Sequence, residues 1–448
     1  MGSGFLALPA AAHYRLMDAT VPAALAEIGA GGAGAAGAVR DDVVRADILV
    51  IDGRVAAVDP AGTVPSGPGV APVRLDGAMV FPCFVDAHTH LDKGHIWPRT
   101  PNPDGTFPGA LAAVGEDRAR FWSAADVEAR MTFALKAAFA HGTAAIRTHI
   151  DSLPAQLDIS WPVLAALREA WRGRIDLQAS SLCGIDVAVE DGYLPRVAAA
   201  ATRFGGGLGC VTYMSPNLPV GLEAIFATAR DAGLPLDFHV DETMDPGAHS
   251  LRLIAEAAIR HRWTEAGLGR IVVGHCCSLS VQPEAEVAQT LDRVAEAGIA
   301  VVSLPMCNMY LQDRHPGRTP RRRGVTLLHE MKARGIPVMV ASDNTRDPFY
   351  AYGDLDMLET YREATRILHF DHPVGDWPRA ATTTPAEACG FAGRGRIAAG
   401  TAADLIIFRG RSWTELLSRP QSDRTVIRAG RAIDTTLPDY RDLDTLWS

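Results

Sequence analysis

The chain has 448 residues, 48% of them hydrophobic, and its 52 acidic against 43 basic side chains leave a formal net charge of −9. That is ample apolar material for a large core, and the acidic balance gives a nucleic-acid role no electrostatic support. Seven cysteines, an odd number without disulfide-framework spacing, point to reduced thiols and a cytoplasmic setting.

In chain order, the N-terminus has no basic region before its short apolar stretch, and Pro9 interrupts that stretch, so no signal peptide is expected. No apolar run approaches the roughly 18 residues of a membrane span. Residues 1–79 carry short apolar segments rather than a helical period. Ala46–Ile51, then Asp52-Gly53, then Arg54–Val58 reads as a hairpin, because an Asp-Gly step supplies the positive φ of a tight turn. The Gly/Ala-rich stretch from Gly29 to Gly37 reads as a surface loop.

From residue 80 to 394 short apolar strands alternate with helical segments. Eight strand ends fall near His88, His149, Ser181, Met214, His239, His275, Pro305 and Asp343, the count for a (β/α)8 TIM barrel. One helix is predicted over Asp126 to His141, with Ser123 or Asp126 as its cap and Gly142 as its stop. Gly205-Gly206-Gly207 precedes a strand instead of opening a helix after one, so it reads as a loop and not a dinucleotide fingerprint. Residues 395–448 return to short strands, Ala403–Phe408 and Thr425–Arg428. Together with residues 1–79 they predict a small composite β-sandwich domain.

Barrel enzymes carry their chemistry at the C-terminal ends of strands, and several of these ends hold metal-ligand residue types. In Phe84-Val85-Asp86-Ala87-His88-Thr89-His90 the two histidines are two apart on an extended chain, so they share a face. Neutral imidazoles suit zinc or ferrous iron. His239 ends a second strand. Glu242 lies three residues on, and a turn would bring it to the same site as a proton shuttle. His275 follows Ile271-Val272-Val273-Gly274. Asp343 follows a fully apolar strand, where an unpaired buried carboxylate is costly unless a metal or ion pair offsets it. The fourth strand end, Val211-Thr212-Tyr213-Met214, has no lysine to bridge two metals, which favours one.

These residues resemble cytosine deaminase and its relatives in the amidohydrolase superfamily. The likeness runs through His88-Thr89-His90-Leu91-Asp92, Arg147-Thr148-His149-Ile150-Asp151, His239-Val240-Asp241-Glu242 and His275. It continues through Asn308, Leu311-Gln312, Arg314, Arg322 to Thr326, Asp343 and Asp347-Pro348, and ends in the tail Ile397 to Leu405. The resemblance implies one divalent ion, Zn2+ or Fe2+, held by His88, His90, His239 and Asp343. It implies that Asp343 takes a proton from the attacking water, that Glu242 protonates a ring nitrogen, and that His275 stabilises the attacking oxygen. The implied reaction turns an amino-substituted heterocycle into its oxo product plus ammonia. Homo-oligomers are common in the superfamily, so a homo-oligomer is the family expectation.

Three positions depart from the cytosine deaminase pattern and define the substrate contacts. Leu182 and Cys183 stand where a glutamine reads the pyrimidine, Asn344 replaces a second aspartate, and Phe349 replaces a tryptophan. Such sites discriminate through hydrogen bonds to the ring, so these changes argue against cytosine itself and favour a pterin-type or other amino-substituted heterocycle. The segment from Asp92 to Phe107 is expected to form a lid over it. The rival readings are a cyclic amide or N-alkylamino-triazine hydrolase on the same site, and a non-enzymatic barrel, which the complete ligand set argues against. The run Arg321-Arg322-Arg323 reads as structural or ion-pairing in this acidic chain.

Overall fold

Asp52 and Gly53 both take left-handed backbone, φ 49° and 77°, and the strands on either side pair as the predicted hairpin. In the computed structural model, which describes residues 5–29 and 41–447, the chain is a mixed α/β protein. The Gly/Ala-rich stretch lies outside the described residues apart from Gly29.

The N-terminal segment forms β1 (His13–Pro22), β2 (Val43–Ile51), β3 (Arg54–Pro60), β4 (Ala71–Arg74) and β5 (Met79–Pro82). The central strands are β6 (Phe84–Thr89), β7 (Thr143–Asp151), β8 (Asp176–Leu182), β9 (Val211–Thr212), β10 (Asp237–Val240), β11 (Val272–His275), β12 (Ala300–Ser303) and β13 (Val338–Val340). The chain ends with β14 (Leu405–Phe408), β15 (Thr425–Arg428) and β16 (Arg431–Ala432).

Both ends of the chain join one eight-stranded sheet in the order β16-β15-β14-β5-β1-β2-β3, with β4 also paired to β1. This corrects the expected β-sandwich, because the layers are one connected sheet. The reason is local to β1. Its register shifts between Leu16 and Ala19, where Asp18 takes φ 63°; the residues before the break pair with β4, and Thr20 beyond it pairs with β5. Leu16, Ile48, Val50, Leu405, Ile407 and Ile427 fill the core that this bent sheet encloses.

The central strands are parallel and follow sequence order, β6-β7-β8 in one sheet and β9 to β13 in another. Single bridges join them at both edges: Ser180 to Gly207 and Gly184 to Val211 on one side, Thr89 to Asp343 on the other. All eight strands end within three residues of the predicted positions. Ser123 caps the helix Ala124–His141, its Oγ accepting from the Asp126 amide at 3.3 Å, and Gly142 ends it at φ 96°. Asp126, the other candidate cap, instead pairs with Arg99 and Arg130 at 2.5 and 2.7 Å. The arginine run is structural in part: the Arg321 and Arg322 amides donate to Asp313, and the Arg323 side chain donates to the Ile367 carbonyl.

A buried ion pair fastens the terminal sheet to the central unit. Arg424, just before β15, donates both guanidinium nitrogens to Asp356 at 2.7 and 2.6 Å. Burial alone would raise the Asp356 carboxyl, but Arg424 and His141 beside it bring it down to about 2. A depressed carboxyl contributes stability above its ordinary range and loses it as pH falls toward the folded value. Arg424→Met should therefore cost about 3–5 kcal/mol at neutral pH. The difference in melting temperature from the wild type should narrow from about pH 4 down to about 2, as thermal denaturation across that range would show.

Candidate active site

Alternation along β6 places Asp86, His88 and His90 on one face, and all three are buried. Asp86 accepts from the Ser342 amide at 3.2 Å and the Ser342 hydroxyl at 2.5 Å, tying β6 to the segment after β13. The Asp343 amide donates to the His88 carbonyl at 2.9 Å, and the Thr89 hydroxyl donates to the Asp343 carbonyl at 2.7 Å. Held this way in left-handed backbone, φ 63°, Asp343 presents its carboxylate to both histidines.

The resulting distances bring together residues that could hold a metal ion. Asp343 Oδ1 lies 3.5 Å from His88 Nε2 and 3.4 Å from His90 Nε2, and His239 Nε2 lies 3.1 Å from His90 Nε2. A tetrahedron with 2.0–2.1 Å bonds has edges of about 3.3 Å. His88 Nε2 and both Asp343 oxygens are buried and have no hydrogen-bond partner. Burial holds His88, His90 and His239 far below the ordinary histidine pKa, so their nitrogens are free as ligands. Burial also pushes Asp343 up to about 7. Imidazole nitrogens and a carboxyl group brought this close are residue types that could hold a divalent cation.

Behind these residues, His149 Nε2 lies 3.1 Å from His88 Nδ1, with the rings 4.1 Å apart. His149 faces Asp237 at 3.9 Å, and Asp237 pairs with Arg147 at 3.1 Å. Gly274 of β11 also lies against His88, where a Cβ would meet the ring's Cε1 at 2.8 Å and its Nδ1 at 3.0 Å. The sequence reading assigned no role to His149 or Gly274. The signal for His149 was present, because Arg147, His149 and Asp151 alternate along a buried strand and so share a face.

Glu242 reaches the site through the turn that its spacing demands. Asp241 takes φ 46°, and its carboxylate accepts from the Ser250 and Leu251 amides, each at 3.0 Å, at the start of the helix Ser250–Arg260. Burial, and then the nearby Asp343 carboxylate, hold the Glu242 carboxyl well above its ordinary value. His275 ends β11 at φ 71°, and burial lowers its pKa to about 3. Its Nδ1 lies 3.4 Å from Glu242 Oε1.

A cavity of about 680 Å3 opens over these groups, lined by His90, His239, Glu242 and His275. The four expected substrate contacts, Leu182, Cys183, Asn344 and Phe349, all line it. Asn344 is partly committed elsewhere, its amide donating to Asp347 at 2.7 Å. Sequence reasoning missed the charged wall: Lys93 and Arg118 share Asp151 at 3.3 and 2.6 Å, and Lys93 lies 5.2 Å from the Phe349 ring centre. The expected lid is corrected in its first half. Asp92, Lys93, His95 and Ile96 are buried, and Arg130 donates to the Asp92 and Gly94 carbonyls, so this segment is a pinned part of the wall. Phe107 borders the cavity, together with Leu111 of the helix that follows.

The chain belongs to the amidohydrolase family, whose sequence profile matches residues 192–434. The pterin deaminase of Rhizobium rhizogenes is 52% identical to it over 446 residues, covering 100% of this chain and 99% of that protein. The N-isopropylammelide isopropyl amidohydrolase of Pseudomonas sp. strain ADP is 24% identical, over 81% of this chain and 87% of that protein. Among solved structures, the 5-methylcytosine deaminase of Klebsiella pneumoniae with 5-fluorocytosine superposes with a TM-score of 0.77 at 22% identity. That match covers 95% of this chain and 98% of the other.

Gly274→Ala should press a methyl group against the His88 ring edge that bonds His149, displacing the imidazole. The expected outcome is a loss of metal affinity of about 10- to 100-fold, read by competition with a chromophoric chelator.

Proposed function

We propose that this chain is a metal-dependent deaminase of amino-substituted N-heterocycles, with a pterin-type ring as its substrate. The single observation that carries the reading is the meeting of His88, His90, His239 and Asp343 around buried, unpartnered donor atoms, with Glu242 and His275 beside them. The likeness to a pterin deaminase along the whole chain supports the choice of ring. The central unit, residues 80–394, is read as a (β/α)8 barrel closed by the bridges at Thr89–Asp343 and Ser180–Gly207. Residues 1–79 and 395–448 form its companion β domain.

The four ligands suit Zn2+ or Fe2+. Such an ion, held by His88, His90, His239 and Asp343, would supply Lewis-acid activation of water as a nucleophile at neutral pH. Asp343 would take a proton from the attacking water. Glu242, held well above its ordinary pKa by burial, would donate to the ring nitrogen next to the attacked carbon and regain a proton from the new hydroxyl as the ring carbonyl forms, while Asp343 passes its proton to the departing amine. His275 donates from Nε2 to the attacking oxygen. The balance is one water consumed, one C–N bond broken, one ring carbonyl formed and one ammonia released. Phe349, Leu182 and Cys183 hold the ring's apolar faces, and the Lys93–Arg118 pair suits the acceptor atoms of an oxo-substituted edge. A cavity of about 680 Å3 exceeds what one six-membered ring needs and favours a fused bicycle.

Ammonia release by zinc-loaded protein should be seen with pterins and be weak with cytosine and amino-triazines. Alkylamine release from N-alkylamino-triazines, with pterins inert, would overturn the pterin assignment. His239→Ala should lose metal and activity together. Glu242→Gln should retain metal while kcat falls about 10²- to 10⁴-fold; loss of metal from that variant would contradict the proton-carrying role.

A further inference from the structure

The short helix Pro305–Leu311 sends an amide side chain between the two groups that handle protons. Asn308 is fully buried, and its amide nitrogen donates to His275 Nδ1 at 2.9 Å and to Glu242 Oε1 at 3.3 Å. The NH2 end of the amide can only donate, so His275 Nδ1 and Glu242 Oε1 both accept from it. The helix is itself anchored, with the Asn308 amide donating to the Leu304 carbonyl at 2.9 Å. One residue past the helix, the Gln312 side chain donates to the Glu242 backbone carbonyl at 3.3 Å. The bracket therefore holds Glu242 at both its main chain and its carboxyl group.

The neutral His275 ring carries a single N–H. Its Nδ1 accepts from Asn308, so the proton sits on Nε2, which is buried, lacks a protein partner and belongs to the cluster with His88 and His239. Without Asn308 the other tautomer gains a partner at once, because Nδ1 is already 3.4 Å from Glu242 Oε1 and would donate to it directly. That state turns Nε2 into an acceptor facing the site and ties Glu242 to the histidine.

We propose that Asn308 is a positioning residue that selects the Nε2–H tautomer of His275 and keeps His275 and Glu242 from pairing with each other. The role rests on the deaminase reading for its consequence in catalysis, but the tautomer can be read without turnover.

The test is 15N NMR of histidine-labelled, zinc-loaded protein, with the His275 signals assigned by their loss in His275→Gln. The wild type should show protonated Nε2 and bare Nδ1. Asn308→Leu should reverse that pattern, retain its metal, and lower kcat about 10²- to 10⁴-fold with KM little changed. Asn308→Ala removes the same donor with a smaller side chain, so it should reverse the pattern too, and it carries the test if the leucine variant misfolds. An Nδ1–H wild type, or an unchanged pattern in a folded variant, would overturn the role of Asn308. A wild type with the expected tautomer and no ammonia release from any ring would overturn the deaminase reading and leave the positioning role standing.

Discussion

The constraint on which the rest of this structure depends is a group of buried polar side chains drawn together with too few hydrogen-bond partners. His88 Nε2 and the two Asp343 oxygens are buried without partners, and His239 Nε2 and His90 Nε2 face each other at 3.1 Å. Unpaired buried polar atoms cost about 1–3 kcal/mol each, and more when charged. A fold tolerates such a cluster only where a cation offsets it or where the surrounding frame is stiff enough to hold it. Here the frame is stiff. Asp86 ties β6 to Ser342, His149 contacts His88 Nδ1, and β11 comes close to the His88 ring because Gly274 has no side chain.

The reactive groups sit where the strands stop and the backbone turns sharply. Asp241, His275 and Asp343 all take positive φ, at 46°, 71° and 63°. Non-glycine residues in that region cost about 1–3 kcal/mol each and persist only when the surroundings over-determine them. The surroundings do so. The Asp241 carboxylate receives two amides of the following helix, the Cys276 amide donates to the Val240 carbonyl at 2.8 Å, and the Asp343 amide donates to the His88 carbonyl. These turns explain how Glu242, three residues beyond His239, faces the same point as the strand-borne histidines.

The wall of the cavity divides into an apolar part and a charged part. Leu182, Cys183 and Phe349 offer flat apolar surface, while Lys93, Arg118 and Asp151 form a charged edge. The segment from Asp92 to Ile96 was expected to move as a lid and is instead buried. Arg130 spends its donors on the Asp92 and Gly94 carbonyls and on Asp126. Composition misled here, since a polar run with glycine looks like a loop until the arginine that pins it, more than thirty residues away, is placed. In the same way, two β segments looked like a sandwich because nothing in the sequence marks Asp18 as the bend that joins their layers.

His88, His90 and His239, and the order of eight strands, were readable from sequence alone. Strand periodicity is a local property, and a histidine two residues from another on an extended chain must share its face. Asp343 was readable because a carboxylate after a wholly apolar strand needs a compensating partner. What the sequence could not settle was distance across the strands. That His149 backs His88, that Gly274 leaves room for the imidazole, and that Asn308 reaches both His275 and Glu242 are relations between residues 33 to 186 positions apart. Such contacts are decided by packing of whole elements, and only the tertiary structure brings them within hydrogen-bond reach.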